Sequence, residues 1–170
     1  MEIRPAAPDD ALAVARVHVR SWQAAYRGLL PDSYLDSLRP ADRAARYNFA
    51  HTGPAMPHTL VAIDAGEVLG FATTRPSRDP SLADYGELAA LYVAPEHWRQ
   101  GIGARLAAAA SQQLLQLGHR DALLWVLVGN SRAEHFYRAD GWCPDGLRRS
   151  EMVWGIVVEE IRYLRQLAHP

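Results

Sequence analysis

The amino-acid sequence predicts one mixed α/β (α+β) domain over residues 1–170, with a central, mostly antiparallel sheet, a parallel βαβ unit at its core and helices on both faces. Three observations predict it. Residues 86–128 run strand, amphipathic helix, strand, an order that makes the two strands parallel with a right-handed crossover. Residues 58–75 form a hairpin pattern, which adds antiparallel strands. The chain has 170 residues, 49% of them hydrophobic and 22% charged, enough to bury one sizeable core without disulfides or a structural metal.

Ile3–Pro5 suits a short first strand. Pro8-Asp9-Asp10 then opens a helix, since proline fits the first turn and the two carboxylates suit the positive end of the dipole. Leu12, Ala15, Val19, Trp22 and Tyr26 follow at helical spacing along one face, and Gly28 ends the run. Pro31–Leu38 and Pro40–His51 are two further helical pieces, each with proline at its start. His58–Asp64 and Glu67–Arg75 are β-rich runs joined by Asp64-Ala65-Gly66-Glu67. Arg75–Asp84, rich in Pro, Ser and charge, is a loop.

The strand Gly86–Val93 comes next, and a strong helix runs from Gly101 to Leu117. Its stripe is Ile102, Leu106, Ala110, Leu114 and Leu117, with Gly118 as its stop. Asp121–Val128 is an apolar run short enough for a buried strand. Asn130–Asp140 is a short helix capped by Asn130 and closed by Gly141. Two strands are expected from Trp142 onward, Ile156–Leu164 being the clearer.

Composition removes several function classes. A net charge of −1 gives no general attraction to nucleic acid or to an anionic membrane. The longest strongly apolar run, Ala122–Val128, is far too short to span a bilayer. All 18 basic residues are arginine, so a lysine Schiff base and a Walker-type phosphate loop are both excluded. The single cysteine, Cys143, cannot build an internal disulfide or a thiolate zinc site, and it has no activating base beside it. The seven histidines show no metal-ligand spacing, so no metal is expected. Ser131 is outside any Gly-x-Ser-x-Gly elbow. A cytoplasmic protein is the simplest expectation.

The most informative segment is Leu91-Tyr92-Val93-Ala94-Pro95-Glu96-His97-Trp98-Arg99-Gln100-Gly101-Ile102-Gly103-Ala104. A strand ends, proline turns the chain, and glycines open a helix. That order aims unbonded backbone N–H groups, reinforced by the helix dipole, at one point where a diphosphate would fit. A Rossmann fingerprint would need a third glycine where Leu106 stands. By itself the turn is equally what an ordinary glycine-rich helix start looks like.

Val93–Ala104 resembles the acetyl-CoA loop of the GNAT acyltransferases, whose usual pattern is Gln/Arg-x-x-Gly-x-Gly/Ala. Gly101 and Gly103 match, and Trp98 stands at the leading position. Asn130-Ser131-Arg132-Ala133-Glu134-His135-Phe136-Tyr137-Arg138-Ala139-Asp140-Gly141-Trp142 resembles a second segment of that family, Asn-x-x-Ala-x-x-Phe-Tyr-x-x-x-Gly-Phe, with tryptophan for the last phenylalanine. Two motifs in the right order and spacing are far more specific than either alone.

The resemblance implies an acyl-CoA-dependent N-acyltransferase that moves acetyl from acetyl-CoA to a primary amine by direct attack. It implies that Arg99, Gln100, Gly101, Ile102, Gly103 and Ala104 hold the diphosphate, and that Leu91 and Val93 offer backbone groups to the pantetheine arm. Asn130 would contact the same arm. Tyr137 matches the family tyrosine that serves the departing thiolate, a role suited to a phenol with a pKa near 10. Glu87 stands where family members often carry an acidic residue and is the candidate base, with Asp84 as the fallback. By alternation Glu87 would share a face with Ala89, Leu91 and Val93, and a bulge would change that. A solvated strand-end carboxylate is the competing reading of Glu87.

Trp22, Tyr26 and Tyr34 cluster on the expected acceptor side, where aromatics can hold a cationic amine. Trp22 and Tyr26 also lie on the apolar stripe, so they serve core packing as well. The acceptor class is open between a small-molecule amine and a peptide or protein amine, and a homodimer is possible by resemblance. A non-catalytic acyl-CoA-binding module on the same fold is the alternative reading.

Overall fold

The computed structural model describes residues 1–167. Seven strands form one sheet: β1 (Glu2–Pro5), β2 (His58–Asp64), β3 (Glu67–Pro76), β4 (Gly86–Val93), β5 (Asp121–Leu127), β6 (Cys143–Val153) and β7 (Ile156–Gln166). Their spatial order is β1-β2-β3-β4-β5-β7-β6. Every neighbouring pair is antiparallel except β4 and β5. Among the described residues the α-helices are α1 (Ala11–Ala25), α2 (Asp32–Ser37), α3 (Pro40–Ala44), α4 (Ile102–Gln116) and α5 (Ser131–Ala139).

The expected periodicities form the two faces of the sheet. Ile102, Leu106, Ala110 and Leu114 of α4 are buried against Leu60, Ala62, Leu69, Ala72 and Leu88. Each fully buried leucine contributes roughly 1.5–3 kcal/mol of transfer free energy. Ala133 and Tyr137 of α5 pack on the same cluster. On the other face Val14 and Val17 of α1 meet Val61, Val68 and Phe71. Trp22, Tyr26, Leu30, Leu35 and Val158 form a third cluster farther along α1.

Three sequence expectations change. Leu12 is exposed, and α1 instead buries Val14, Val17, His18 and Ser21 beside Ala15, Val19 and Trp22. The predicted stripe was one row of a broader apolar face. The helix expected over 40–51 stops at Ala44, after which Tyr47 and Phe49 stack on each other, with ring centroids 5.0 Å apart, and pack onto the core from irregular chain. Simple alternation along β4 fails, because the register against β3 shifts between Thr73 and Thr74. Thr73 faces Ala90, whereas Thr74 faces Leu88, so Ala89 is the unpaired residue of a bulge. Leu88, Leu91 and Val93 therefore point to the α4 side, and Glu87 joins Ala90 and Tyr92 on the α1 side.

Candidate active site

The site begins where the two parallel strands separate. β4 pairs with β5 only at Gly86↔Ala122 and Glu87↔Leu123. Beyond Glu87 the β5-facing edge of β4 has no strand partner, which leaves open backbone polar groups that a bound chain can satisfy. A cavity of about 600 Å³ opens at this seam, lined by Leu88–Tyr92 of β4, Trp125–Leu127 of β5 and the start of α5. A second hollow of about 350 Å³, lined by Trp98, Gly129, Asn130 and Ser131, shares Ala25, Asn130 and Arg132 with it.

The loop from β4 to α4 is shaped for an anion. Gly101 caps α4 in the left-handed region, at φ 78°. The first intrahelical bond of α4 is Arg105 N–H to the Gly101 carbonyl, and no side chain caps the helix. The N–H groups of Ile102, Gly103 and Ala104 are thus unsatisfied from within the helix. Gly103 is not demanded by packing: an added Cβ would sit 3.5 Å from Phe136 Cε2, an ordinary contact. Its missing side chain leaves room for a guest rather than for the protein. Trp98 turns inward, donating its indole N–H to the Val93 carbonyl at 2.7 Å while Arg132 lies 3.3 Å above its ring. Ser21 donates to the same carbonyl at 3.0 Å. The Val93 carbonyl is therefore engaged within the fold.

Helix α5 places the second motif opposite this loop. The Asn130 side-chain oxygen accepts the Ala133 N–H at 3.3 Å, as its capping role requires, and its amide N–H₂ has no protein acceptor among the described residues. Tyr137 lies edge-on to Phe136 and Trp142, with centroids 5.2 and 6.2 Å away, and lines the cavity. Burial, reinforced by the nearby Tyr92 phenol and Asp140, pushes its pKa far above that of an ordinary phenol.

The opposite wall holds aromatics and charge. His18 stacks on Tyr92 at 4.7 Å and lies 4.9 Å from Trp154, and Trp22 contacts both Tyr26 and Trp154 at 5.0 Å. Arg43 donates from Nε to His18 Nδ1 at 3.2 Å, and an arginine can only donate. His18 Nδ1 is therefore unprotonated, Tyr47 also donates to it at 2.8 Å, and the ring proton sits on Nε2. Burial, helped by the charge of Arg43, holds the imidazole well below its usual range and keeps it neutral. The phenols of Tyr26 and Tyr92, 3.4 Å apart, are both pushed up by burial.

Glu87 is almost fully buried on the same wall. Arg75 grips it with two bonds, Nη2 to Oε1 at 2.7 Å and Nε to Oε2 at 3.2 Å. A second carboxylate, Glu160 of β7, lines the cavity and bonds Arg149 at 3.0 Å. Burial raises its pKa against the opposing pull of Arg149.

A sequence model of the acetyltransferase (GNAT) family matches residues 19–142 of this chain. The chain belongs to the GNAT acetyltransferase family. An uncharacterized N-acetyltransferase of Archaeoglobus fulgidus is 33% identical over 153 residues, covering 89% of this chain and 95% of that protein. The uncharacterized N-acetyltransferase YuaI of Bacillus subtilis is 34% identical over 129 residues, covering 75% and 72%. In fold, the chain is similar to the PaiA N-acetyltransferase of Thermoplasma acidophilum, solved in complex with coenzyme A. The TM-score is 0.74 at 21% identity, over 97% of this chain and 98% of that one.

The GNAT fold brings most of the sequence-derived residues to one place. Glu87, Leu91, Asn130, Tyr137, Trp22 and Tyr26 all line the larger cavity. Tyr34 does not: its hydroxyl donates to the Trp154 carbonyl at 2.6 Å, so it holds a wall residue in place from behind, which corrects its assignment as an acceptor contact. Arg99, at φ 62°, and Gln100 are exposed on the loop. Asp84, the fallback base, is absent from the cavity lining. Sequence reasoning missed His18, Arg43, Tyr92, Trp154 and Glu160. His18 is buried three residues ahead of Ser21, a polar pair inside an apolar face, and that was the one available signal. Glu67, Glu96 and His97 also approach one another on the surface, where Arg20 binds Glu96 at 2.7 Å.

Proposed function

We propose that this acetyltransferase transfers the acetyl group of acetyl-CoA to a primary amine by direct attack, without a covalent enzyme intermediate. The observation that carries the reading is the open seam between β4 and β5. It links the hollow beside Trp98 and Asn130 to a cavity containing a phenol, carboxylates and an aromatic wall.

Acetyl-CoA supplies the activated thioester carbon. The unsatisfied N–H groups of Ile102, Gly103 and Ala104 suit a diphosphate, with Arg99 and Gln100 beside it. The free amide of Asn130 and the unpaired edge of β4 around Leu91 suit the pantetheine amides. The acceptor enters from the aromatic side, past Trp22 and Tyr26, where a cation is favoured over the ring faces. An ammonium must lose its proton before its nitrogen can bond to carbon, and the wall offers Glu87 and Glu160 as acceptors. As that bond forms, the carbon–sulfur bond breaks and the electron pair leaves on sulfur.

Tyr137 serves the leaving sulfur. Its raised pKa makes outright transfer to a thiolate, whose ordinary pKa is near 8.5, unfavourable. A neutral phenol that donates a hydrogen bond to the sulfur fits better, and the proton follows from solvent. The proposed acceptor is a small-molecule amine or a peptide amine, and the proposed setting is the cytoplasm. Among the described residues no helix is long and apolar enough to cross a membrane.

Two measurements test the reading. Titration calorimetry with acetyl-CoA should show uptake at or below millimolar concentrations. Thiol release should then appear with at least one member of a broad primary-amine panel. Binding with no release from any amine would leave a non-catalytic acyl-CoA carrier, and no binding would remove the proposal.

A further inference from the structure

We propose that Glu160, on the last strand, takes the proton from the acceptor ammonium, and that Glu87 is a positioning residue holding Arg75. The inference rests on the transfer reading above.

The two carboxylates differ in what is left free. Both oxygens of Glu87 are engaged: Oε1 accepts from Arg75 Nη2 at 2.7 Å, and Oε2 accepts from Arg75 Nε at 3.2 Å and from the Arg78 N–H at 3.4 Å. Its side chain is 5% exposed. Taking a proton would neutralise Glu87 and leave the Arg75 guanidinium without its counter-charge inside the protein, which is strongly unfavourable. Glu160 is held only at Oε1, by Arg149, whose Nε and Nη2 both lie 3.0 Å from it. Its Oε2 has no hydrogen-bond donor among the described residues and is not fully sealed from solvent, and the residue lines the cavity.

Strand geometry places this side chain at the seam. Glu160 pairs with Leu127, the last residue of β5, where β5 has already parted from β4. Val158, two residues earlier, is buried in the aromatic cluster, so the side chain of Glu160 shares that face. The groups acting on it are Arg149 and Glu151 of β6, Glu87 of β4, and the phenols of Tyr26, just past the end of α1, and Tyr92 on β4. Burial raises its pKa, with Glu151 and Glu87 adding to the rise, while Arg149 opposes it and keeps the carboxylate oriented. A carboxylate moved toward neutral pH is a stronger base than an ordinary glutamate, and one whose second oxygen is vacant can use that basicity.

The step balances simply. The N–H bond of the ammonium breaks toward Glu160 Oε2, directly or through one water, and the freed lone pair forms the N–C bond. Glu160 then returns its proton to solvent, and the second proton, which the nitrogen sheds once its bond to carbon has formed, goes to solvent or to the departing sulfur.

The test compares Glu160→Gln with Glu87→Gln, using acetyl-CoA and the best amine of the panel, with kcat/KM followed from pH 5 to 9. For Glu160→Gln a loss of about 10²-fold or more is expected, together with disappearance of the acidic limb assigned to an enzyme carboxylate. Glu87→Gln should keep that limb, with its loss expressed mainly in KM. Glu160→Ala assayed with added formate supplies a second readout, because a small carboxylate can refill the vacated site and restore rate without changing the acetyl-CoA Kd. A limb lost in Glu87→Gln but kept in Glu160→Gln overturns the assignment in favour of Glu87. A limb kept in both variants, with no formate effect, overturns it in favour of solvent. Failure of the underlying reading looks different: wild type would itself release no thiol with any amine, and both proposals would fall.

Discussion

Trp98 donates its indole N–H to the Val93 carbonyl at 2.7 Å, tying the phosphate-side loop back to the strand it has just left. The family pattern has glutamine or arginine at this position, and here an aromatic serves as a buttress. Arg132, at the start of α5, lies over the same ring, so one side chain joins strand, loop and helix. Trp98→Phe keeps a ring for Arg132 and loses one hydrogen bond, a change of about 1 kcal/mol. Calorimetry should show acetyl-CoA bound roughly 5-fold more weakly, on the usual conversion of about 1.4 kcal/mol per decade. Trp98→Ala also removes the stacked contact and should weaken binding further. Equal affinities for wild type and Trp98→Ala would show that the buttress does not support the loop.

The two loop glycines should behave oppositely. Alanine at Gly101 must adopt φ 78°, which costs roughly 1–2 kcal/mol, so Gly101→Ala should lower Tm by a few degrees. Alanine at Gly103 meets only an ordinary contact with Phe136 and gains helix propensity of about 1 kcal/mol. Gly103→Ala should therefore match or exceed wild type in Tm while binding acetyl-CoA at least roughly 10-fold more weakly, because the added methyl occupies the anion's approach. Thermal melts with calorimetry separate the two effects. Undiminished acetyl-CoA affinity in Gly103→Ala would place the diphosphate elsewhere.

Tyr137→Phe should lower kcat by roughly 10- to 100-fold, at the lower end of what a positioned proton donor supplies, and leave the acetyl-CoA Kd nearly unchanged. The ring keeps its contacts with Phe136 and Trp142, so only the hydroxyl is tested. Because burial raises the phenol pKa, wild-type kcat should show no loss from Tyr137 ionisation up to about pH 10, where an ordinary phenol would be half ionised. A basic limb near pH 9 that vanishes in Tyr137→Phe would contradict this.

Stability should reveal Glu160 independently of activity. Its folded pKa lies above the unfolded value, chiefly through burial, so its favourable contribution to stability is present below the unfolded pKa. That contribution is lost as pH rises through the folded pKa. Glutamine at this position does not titrate. The Tm of Glu160→Gln minus that of wild type should therefore be more positive at pH 8 than at pH 4. A difference independent of pH would mean that Glu160 titrates alike in the folded and unfolded chain.

Local signals made the donor side of the site legible. The turn at Pro95, the glycine at the mouth of α4 and Asn130 as a helix cap are all consequences of backbone geometry within a dozen residues. The acceptor side was far less legible. His18, Tyr92, Trp154 and Glu160 lie far apart along the chain, and each looks like ordinary core or surface in its own element. Glu87 shows the limit at a single residue. Its position in the sequence was right for the cavity, but one bulged residue, Ala89, set which face it occupies, and Arg75 set what its oxygens can do.

By itself the sequence determined the order and kind of the elements, the parallel pair flanking α4 and the two motifs that mark an acyl-CoA enzyme, because periodicity, capping and turn chemistry act between near neighbours. Tertiary structure alone decided where β4 and β5 part, which aromatics close the acceptor wall and which carboxylate keeps a free oxygen. Those outcomes depend on strand twist, on a register shift and on competition among charged groups from four strands, and they arise only when distant segments are packed together.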